Sequence, residues 1–142
     1  MEAKQSMVLV ERHIEAMKAR DEQTFAAHYH EEAVVRMAGV PRSLGGVIEG
    51  RQRIVENFRQ QAPSAFVLHQ MFGDDTHVCV IAKVTNTLEG TEFLRGSDRP
   101  FTTFECVSYR IEGGRIREQT TYVNWLDAYV QAGLVDLEPL KA

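Results

Sequence analysis

The sequence predicts an α+β domain in which N-terminal helices close one face of a cone-shaped, curved antiparallel sheet around a pocket. Two observations predict it. Apolar residues recur every three or four positions through the first sixty residues, and every second position from Ala65 onward. Turn formers then punctuate the second half, at Gly73-Asp74-Asp75 and at Gly113-Gly114, a strong two-residue hairpin signal. Helices followed by a meander put the helices on one side of the sheet. A strongly twisted sheet of this size curls, and polar residues interleaved among the apolar ones suggest a hollow interior.

The first element is a helix with Met7, Val10, Ile14 and Met17 as its apolar stripe and Ser6 as a plausible cap. A second short helix starts at Asp21, with Glu22 favouring the helix dipole and Phe25 and Tyr29 one turn apart. Ala33–Met37 is a short strand, and the Gly- and Pro-rich stretch from Gly39 to Gly50 is a loop. Arg51 to about Gln61 forms a third helix with Ile54, Val55 and Phe58 on one face and Pro63 beyond its end. Four strands follow: Phe66–Phe72, His77–Leu88, Phe101–Ile111 and Arg115–Asn124, with a long connection from Gly90 to Pro100. A C-terminal helix runs from Trp125 to Leu134, stopping near Gly133.

At 142 residues, without repeats or a low-complexity linker, the chain reads as one domain spanning residues 1–142. Its 44% apolar and 25% charged content is that of a globular protein. The net charge of −4 and the lack of a basic cluster argue against nucleic acid. No apolar run is long enough to span a membrane and the N-terminal twenty residues lack a signal-peptide centre, so the expected location is cytoplasmic. Cys79 and Cys106 sit in strand-like runs and read as buried thiols.

Glu105 is the candidate catalytic group. It shares a strand face with Thr103, Val107 and Tyr109, and apolar neighbours would desolvate it and raise its pKa. The competing structural reading pairs it with Lys83 or Arg117, or turns it to solvent at a dimer interface. Gln119 and Thr121 share a face of the last strand, with Thr85 opposite, and could bond a ligand carbonyl or hydroxyl. His69 alternates with Val67 and Met71, which makes a pocket-facing imidazole one reading and a surface or core histidine the other. Met37, Tyr29, Phe58 and Trp125 are core or pocket wall, and Trp125 could stack on a flat ligand. His28, His30 and Glu32 do not share a helical face, so no metal site is expected. His13 and His77 read as helix surface and turn.

The run Tyr109-Arg110-Ile111-Glu112-Gly113-Gly114-Arg115-Ile116, followed by Tyr122-Val123-Asn124-Trp125, resembles the SnoaL-like family within the nuclear-transport-factor-2-like superfamily. Gly50-Arg51 and Ala132-Gly133-Leu134 add to the likeness, which covers nearly the whole chain. The superfamily includes ketosteroid isomerases, limonene epoxide hydrolases and polyketide cyclases, and the resemblance implies a ligand-lined face holding Glu105, Val107, Lys83 and Thr85. Catalytic positions elsewhere in the family hold other residue types here. The cyclase aspartate and histidine fall on Thr121 and Val107, the epoxide-hydrolase Arg-x-Asp pair on Lys83 and Thr85, and the isomerase triad on Met37, Ile14 and Val107. Methionine and valine transfer no protons.

The expected function is a cofactor-independent acid/base enzyme of isomerase, cyclase or dehydratase type on a hydrophobic small molecule. The alternative is a non-catalytic binding or carrier protein for such a molecule. A protein-interaction module would need a broad exposed apolar patch. The sheet face more plausibly buries against a second copy, giving a homodimer.

Overall fold

The computed structural model describes residues 3–61, 65–86 and 99–141. Pro63, the strand end at Thr87 and Leu88, and the connection as far as residue 98 lie outside the described residues. Three helices precede and flank the sheet: α1 (Ala3–Lys18), α2 (Glu22–Ala27) and α3 (Arg51–Gln60). The strands are β1 (Tyr29–Ala38), β2 (Val47–Glu49), β3 (Ala65–Gly73), β4 (His77–Asn86), β5 (Phe101–Glu112) and β6 (Arg115–Val123), and α4 (Trp125–Gln131) follows them.

The six strands form one sheet in the order β2-β1-β6-β5-β4-β3. All neighbours pair antiparallel except β1 and β6, which run parallel. Three register shifts bend it: in β1 between Tyr29 and Val34, in β3 between Leu68 and Gln70, and in β6, where Arg117 is extra opposite Arg110 and Ile111. Extra residues at such points raise the local twist and bend the strand, which makes the sheet curved and unclosed. Gly113 and Gly114, with φ of 60° and 75°, supply the two positive dihedrals that a tight hairpin requires.

Helices α1, α2 and α3 cover the concave face. Val10, Ile14, Phe25, Ile54 and Phe58 meet Val78, Val80, Ala82, Val84, Val107 and Tyr109 in one continuous core. Arg20 joins the helices: its guanidinium lies 4.1 Å from the Phe58 ring centre and donates to the carbonyls of Phe58 and Gln61 at the end of α3. At the other end of the sheet, Gln131 of α4 accepts from the Thr102 backbone N–H and donates to its carbonyl, both at 2.8 Å. A smaller cluster of Phe101, Ala128 and Ala132 packs beneath that clamp.

Several sequence expectations are corrected. Ser6 is not a cap: it lies inside α1, fully buried, and its hydroxyl donates to the Asp75 carbonyl at 2.7 Å. Tyr29 belongs to β1 rather than α2, because Asp21 caps α2 through Thr24 N–H and the helix ends at Ala27. The Gly39–Gly50 loop contains the short edge strand β2, paired with β1 at Val34–Glu49. His13, expected on the helix surface, is 2% exposed.

Ser6 ties α1 to the β3–β4 turn through the carbonyl of the exposed Asp75. Ser6→Ala should cost about 1 kcal/mol, read as a lowered urea midpoint at unchanged slope. An unchanged midpoint would show that the bond contributes nothing.

Candidate functional site

Alternation along the strands and the observed register define the inner face as successive rungs. Val35, Gln119, Tyr109 and Val78 form one rung, and Met37, Thr121, Val107, Val80 and Met71 the next. Val123, Glu105, Ala82 and Leu68 form a third, followed by Thr103, Val84 and Phe66. Glu105 and Val123 remain half-buried and Leu68 is 40% exposed, while Thr103 and Val84 on the neighbouring rung are sealed. Half-buried positions therefore run along this face, from Val35, Gln119, Met37 and Met71 to Glu105 and Val123.

Burial pushes the Glu105 carboxyl up to about 7. Among the described residues no cation or hydrogen-bond donor pairs with it. Neither partner considered from sequence pairs with it: Lys83 sits exposed on the opposite face of the sheet, and Arg117 bonds the Glu32 carbonyl and carboxylate. Tyr109, two inward positions along the same strand, is fully buried, and burial together with the nearby Glu105 carboxylate holds its phenol above the usual range. Thr103, one inward position the other way, is 4% exposed, and among the described residues its Oγ1 has no hydrogen-bond partner. An orphaned buried hydroxyl beside a desolvated carboxyl is a polar pair without internal satisfaction.

The rung holding Gln119 carries a hydrogen-bonded chain. Tyr29 Oη donates to Gln119 Oε1 at 2.5 Å, His13 Nε2 lies 3.1 Å from Tyr29 Oη, and His13 Nδ1 lies 3.2 Å from His28 Nδ1. Burial, and secondarily His28, brings the His13 imidazole down to about 3. Burial also lowers His28 and raises Tyr29. His13 was legible in the sequence: it is three residues after Val10 and four before Met17, inside the buried stripe.

Met37, Val107, Gln119, Thr121 and Glu105 thus come together on the inner face, with Tyr29 behind Gln119. Trp125 stands at the edge of this face, half-buried, its indole donating to the Ala38 carbonyl at 2.9 Å. Gly39 makes that approach possible: it has φ of 86°, and a Cβ there would lie 2.9 Å from Trp125 Cδ1. Phe58 stacks on Phe25 with ring centres 4.0 Å apart and is core.

Three residues expected at the pocket lie elsewhere. Lys83 and Thr85 face outward, since the buried side of β4 is Val78, Val80, Ala82 and Val84; Thr85 bonds Thr102 across the outer surface at 2.8 Å. His69 falls at the β3 register shift, so the alternation with Val67 and Met71 breaks there. Its exposed ring packs edge-on against Phe104 on the outer face. His30 Nδ1 accepts from Glu32 N–H. A cavity of about 450 Å³ near Glu31, Arg51, Glu56 and Arg59 includes no inner-face residue, and Arg51 and Arg59 pair there with Glu31 and Glu22.

A curved, unclosed six-stranded sheet with N-terminal helices over one face has the nuclear-transport-factor-2-like fold. Within that fold class the chain belongs to the SnoaL-like domain family, whose model matches residues 10–119. Solved structures agree on the fold. A candidate SnoaL-like polyketide cyclase from Jannaschia sp. CCS1 superposes with a TM-score of 0.77 at 13% identity, over 94% of this chain and 95% of that one. An LEH-like epoxide hydrolase from M. tuberculosis gives 0.74 at 16%, over 92% and 90%. A candidate ketosteroid isomerase from Kribbella flavida gives 0.66 at 13%, over 85% and 78%. No curated protein matches the chain by sequence. No helix among the described residues is long and apolar enough to cross a membrane.

The raised Glu105 pKa has a consequence for stability. Below the unfolded value near 4.5 the carboxyl is neutral in both states and costs nothing. As pH rises toward the folded value of about 7, the unfolded chain ionises first and stability falls. Glu105→Gln should therefore stabilise the fold by on the order of 3 kcal/mol at pH 8 and by almost nothing at pH 4. Denaturant titrations of both proteins at the two pH values test it; equal gains at both would refute the desolvation account.

Proposed function

We propose that this SnoaL-like chain is a cofactor-independent acid/base enzyme acting on a hydrophobic small molecule, with Glu105 transferring the proton. One observation carries the reading: an inner-face carboxyl, unpaired by any cation among the described residues, with its pKa drawn to about 7. A group so poised takes a proton from a carbon or hydroxyl and returns it elsewhere on the same molecule at neutral pH. Isomerisation, cyclisation and dehydration all need that step. Thr121 and Thr103 lie on the rungs either side, where they orient oxygens of the ligand, and Trp125 offers a flat surface at the edge. Met37, Val107 and the alanine and valines of β4 make the remainder apolar. The same scaffold carries proteins named for epoxide hydrolysis, polyketide cyclisation and ketosteroid isomerisation.

A second reading, a non-catalytic carrier, draws on the absence of carboxylate or histidine at Met37, Val107 and Thr121. The two separate in one experiment. Hydrophobic, enolisable ketones are screened by thermal unfolding, where a ligand at a hundred times its dissociation constant adds about 2.7 kcal/mol. Turnover of each hit is then followed against pH. Glu105→Gln should lower turnover by at least about a hundredfold while affinity stays within a few-fold, and wild-type activity should change across pH 7. Full activity in the variant sinks the enzyme reading, and binding without turnover in either protein favours the carrier.

The outer sheet face is the proposed contact for a second copy. Phe104, Tyr122, Val67 and Phe72 stand there, each more than half exposed, and an apolar face of this kind is ordinarily covered. Light scattering at micromolar concentration should give twice the chain mass, and Phe104→Glu should give the single mass. A wild-type monomer would rule the contact out.

A further inference from the structure

We infer that Gln119 is a fixed hydrogen-bond donor to the ligand, held so by a one-way chain running from His28 through His13 and Tyr29, and that the bound molecule therefore offers it a carbonyl-type oxygen. This deepens the reading above and rests on the inner face being the ligand site.

The direction of the chain follows from counting protons. The contact between Tyr29 Oη and Gln119 is 2.5 Å. The amide atom facing Tyr29 is Oε1, which can only accept, so the phenol donates. With its single hydrogen spent, Tyr29 Oη must accept at its 3.1 Å contact with His13, and His13 Nε2 must carry the proton. A neutral imidazole has only one, so His13 Nδ1 is an acceptor. The 3.2 Å contact between the two Nδ1 atoms then requires His28 to donate. Burial keeps both rings neutral by lowering their pKa values. Each link uses the only hydrogen available to it, and among the described residues the two hydrogens of the Gln119 –NH₂ are left without an acceptor.

Those hydrogens lie on the inner face, because Gln119 pairs with Tyr109 across β5 and with Val35 across β1. A hydroxyl or amine could also accept there, but a ketone, lactone or quinone oxygen does so without bringing a hydrogen that needs a further partner. Gln119 lies two rungs from Glu105, roughly 13 Å along the sheet by the rise of a strand. The two residues thus address opposite ends of an elongated molecule, one holding an oxygen and the other moving a proton. His13 and Tyr29 are positioning residues: they touch Gln119 directly or through one another and keep the amide from turning over.

Two measurements on the full chain test this. In ¹⁵N–¹H spectra of histidine-labelled protein at pH 7.5, His13 should be the Nε2–H tautomer and His28 the Nδ1–H tautomer; the opposite pair overturns the assignment. That readout involves neither ligand nor turnover, so its outcome is independent of Glu105→Gln. In the second, polycyclic ketones and their corresponding secondary alcohols are compared by thermal shift titration. Wild type should prefer the ketone by about tenfold, Gln119→Glu should reverse the preference at pH 8, and Tyr29→Phe should erase it. A preference unchanged in Gln119→Glu and Tyr29→Phe, or a wild type that binds the alcohols as well as the ketones or binds neither, overturns the inference.

Discussion

The parallel pairing of β1 with β6 is the constraint on which the inner face depends. It brings a strand from the first quarter of the chain beside the last strand, aligning Val35 with Gln119 and Met37 with Thr121. The β3–β4–β5–β6 meander could form from local hairpins alone. Without β1, however, Tyr29 would not reach Gln119, and α1 would not be carried over the sheet to place His13. Long-range pairing of this kind is slow to form and sensitive to register. The register shift between Tyr29 and Val34 lets Tyr29 turn inward while the later residues of β1 keep their alternation.

The electrostatics of the two faces contrast. Ion pairs lie outside: Arg36 and Arg110 with Glu118, Arg42 with Glu49, Arg59 with Glu22. Inside, burial moves each shifted group toward its neutral form: Glu105, Tyr29 and Tyr109 upward, His13 and His28 downward. An interior that resists net charge suits an apolar guest. Glu105, drawn up to about 7, changes its state close to neutral pH.

Most elements were legible in the sequence because their periods are unambiguous. The third helix and the four long strands lie within two residues of their expected ends, with residues 87 and 88 aside. The inner face of β5 followed from simple alternation, which is how Glu105 came forward. Failures occurred where one residue satisfies two periods or where a bulge intervenes. Tyr29 is a full helical turn from Phe25, yet it begins a strand, since nothing short of the fold shows that α2 stops at Ala27. His69 loses its alternation at a register shift that leaves no mark in composition. On β4 the polar side, Lys83 and Thr85, was compatible with a pocket wall or an exposed surface; it is the outer surface, because helices cover the apolar side. β2, three residues in a Gly- and Pro-rich stretch, forms only because β1 offers an edge.

The Gln131 clamp on Thr102 makes, with one side-chain amide, the pair of bonds that an additional strand residue would make with its backbone. The terminal helix is thus attached to the sheet in the sheet's own bonding pattern, but through a removable group and beyond the last strand. The match to the family ends at residue 119, before this helix begins. A tail joined in this way is a detachable fitting: loss of one amide removes both of its bonds to the strand end at Thr102, while the pairing of the six strands stays as it is.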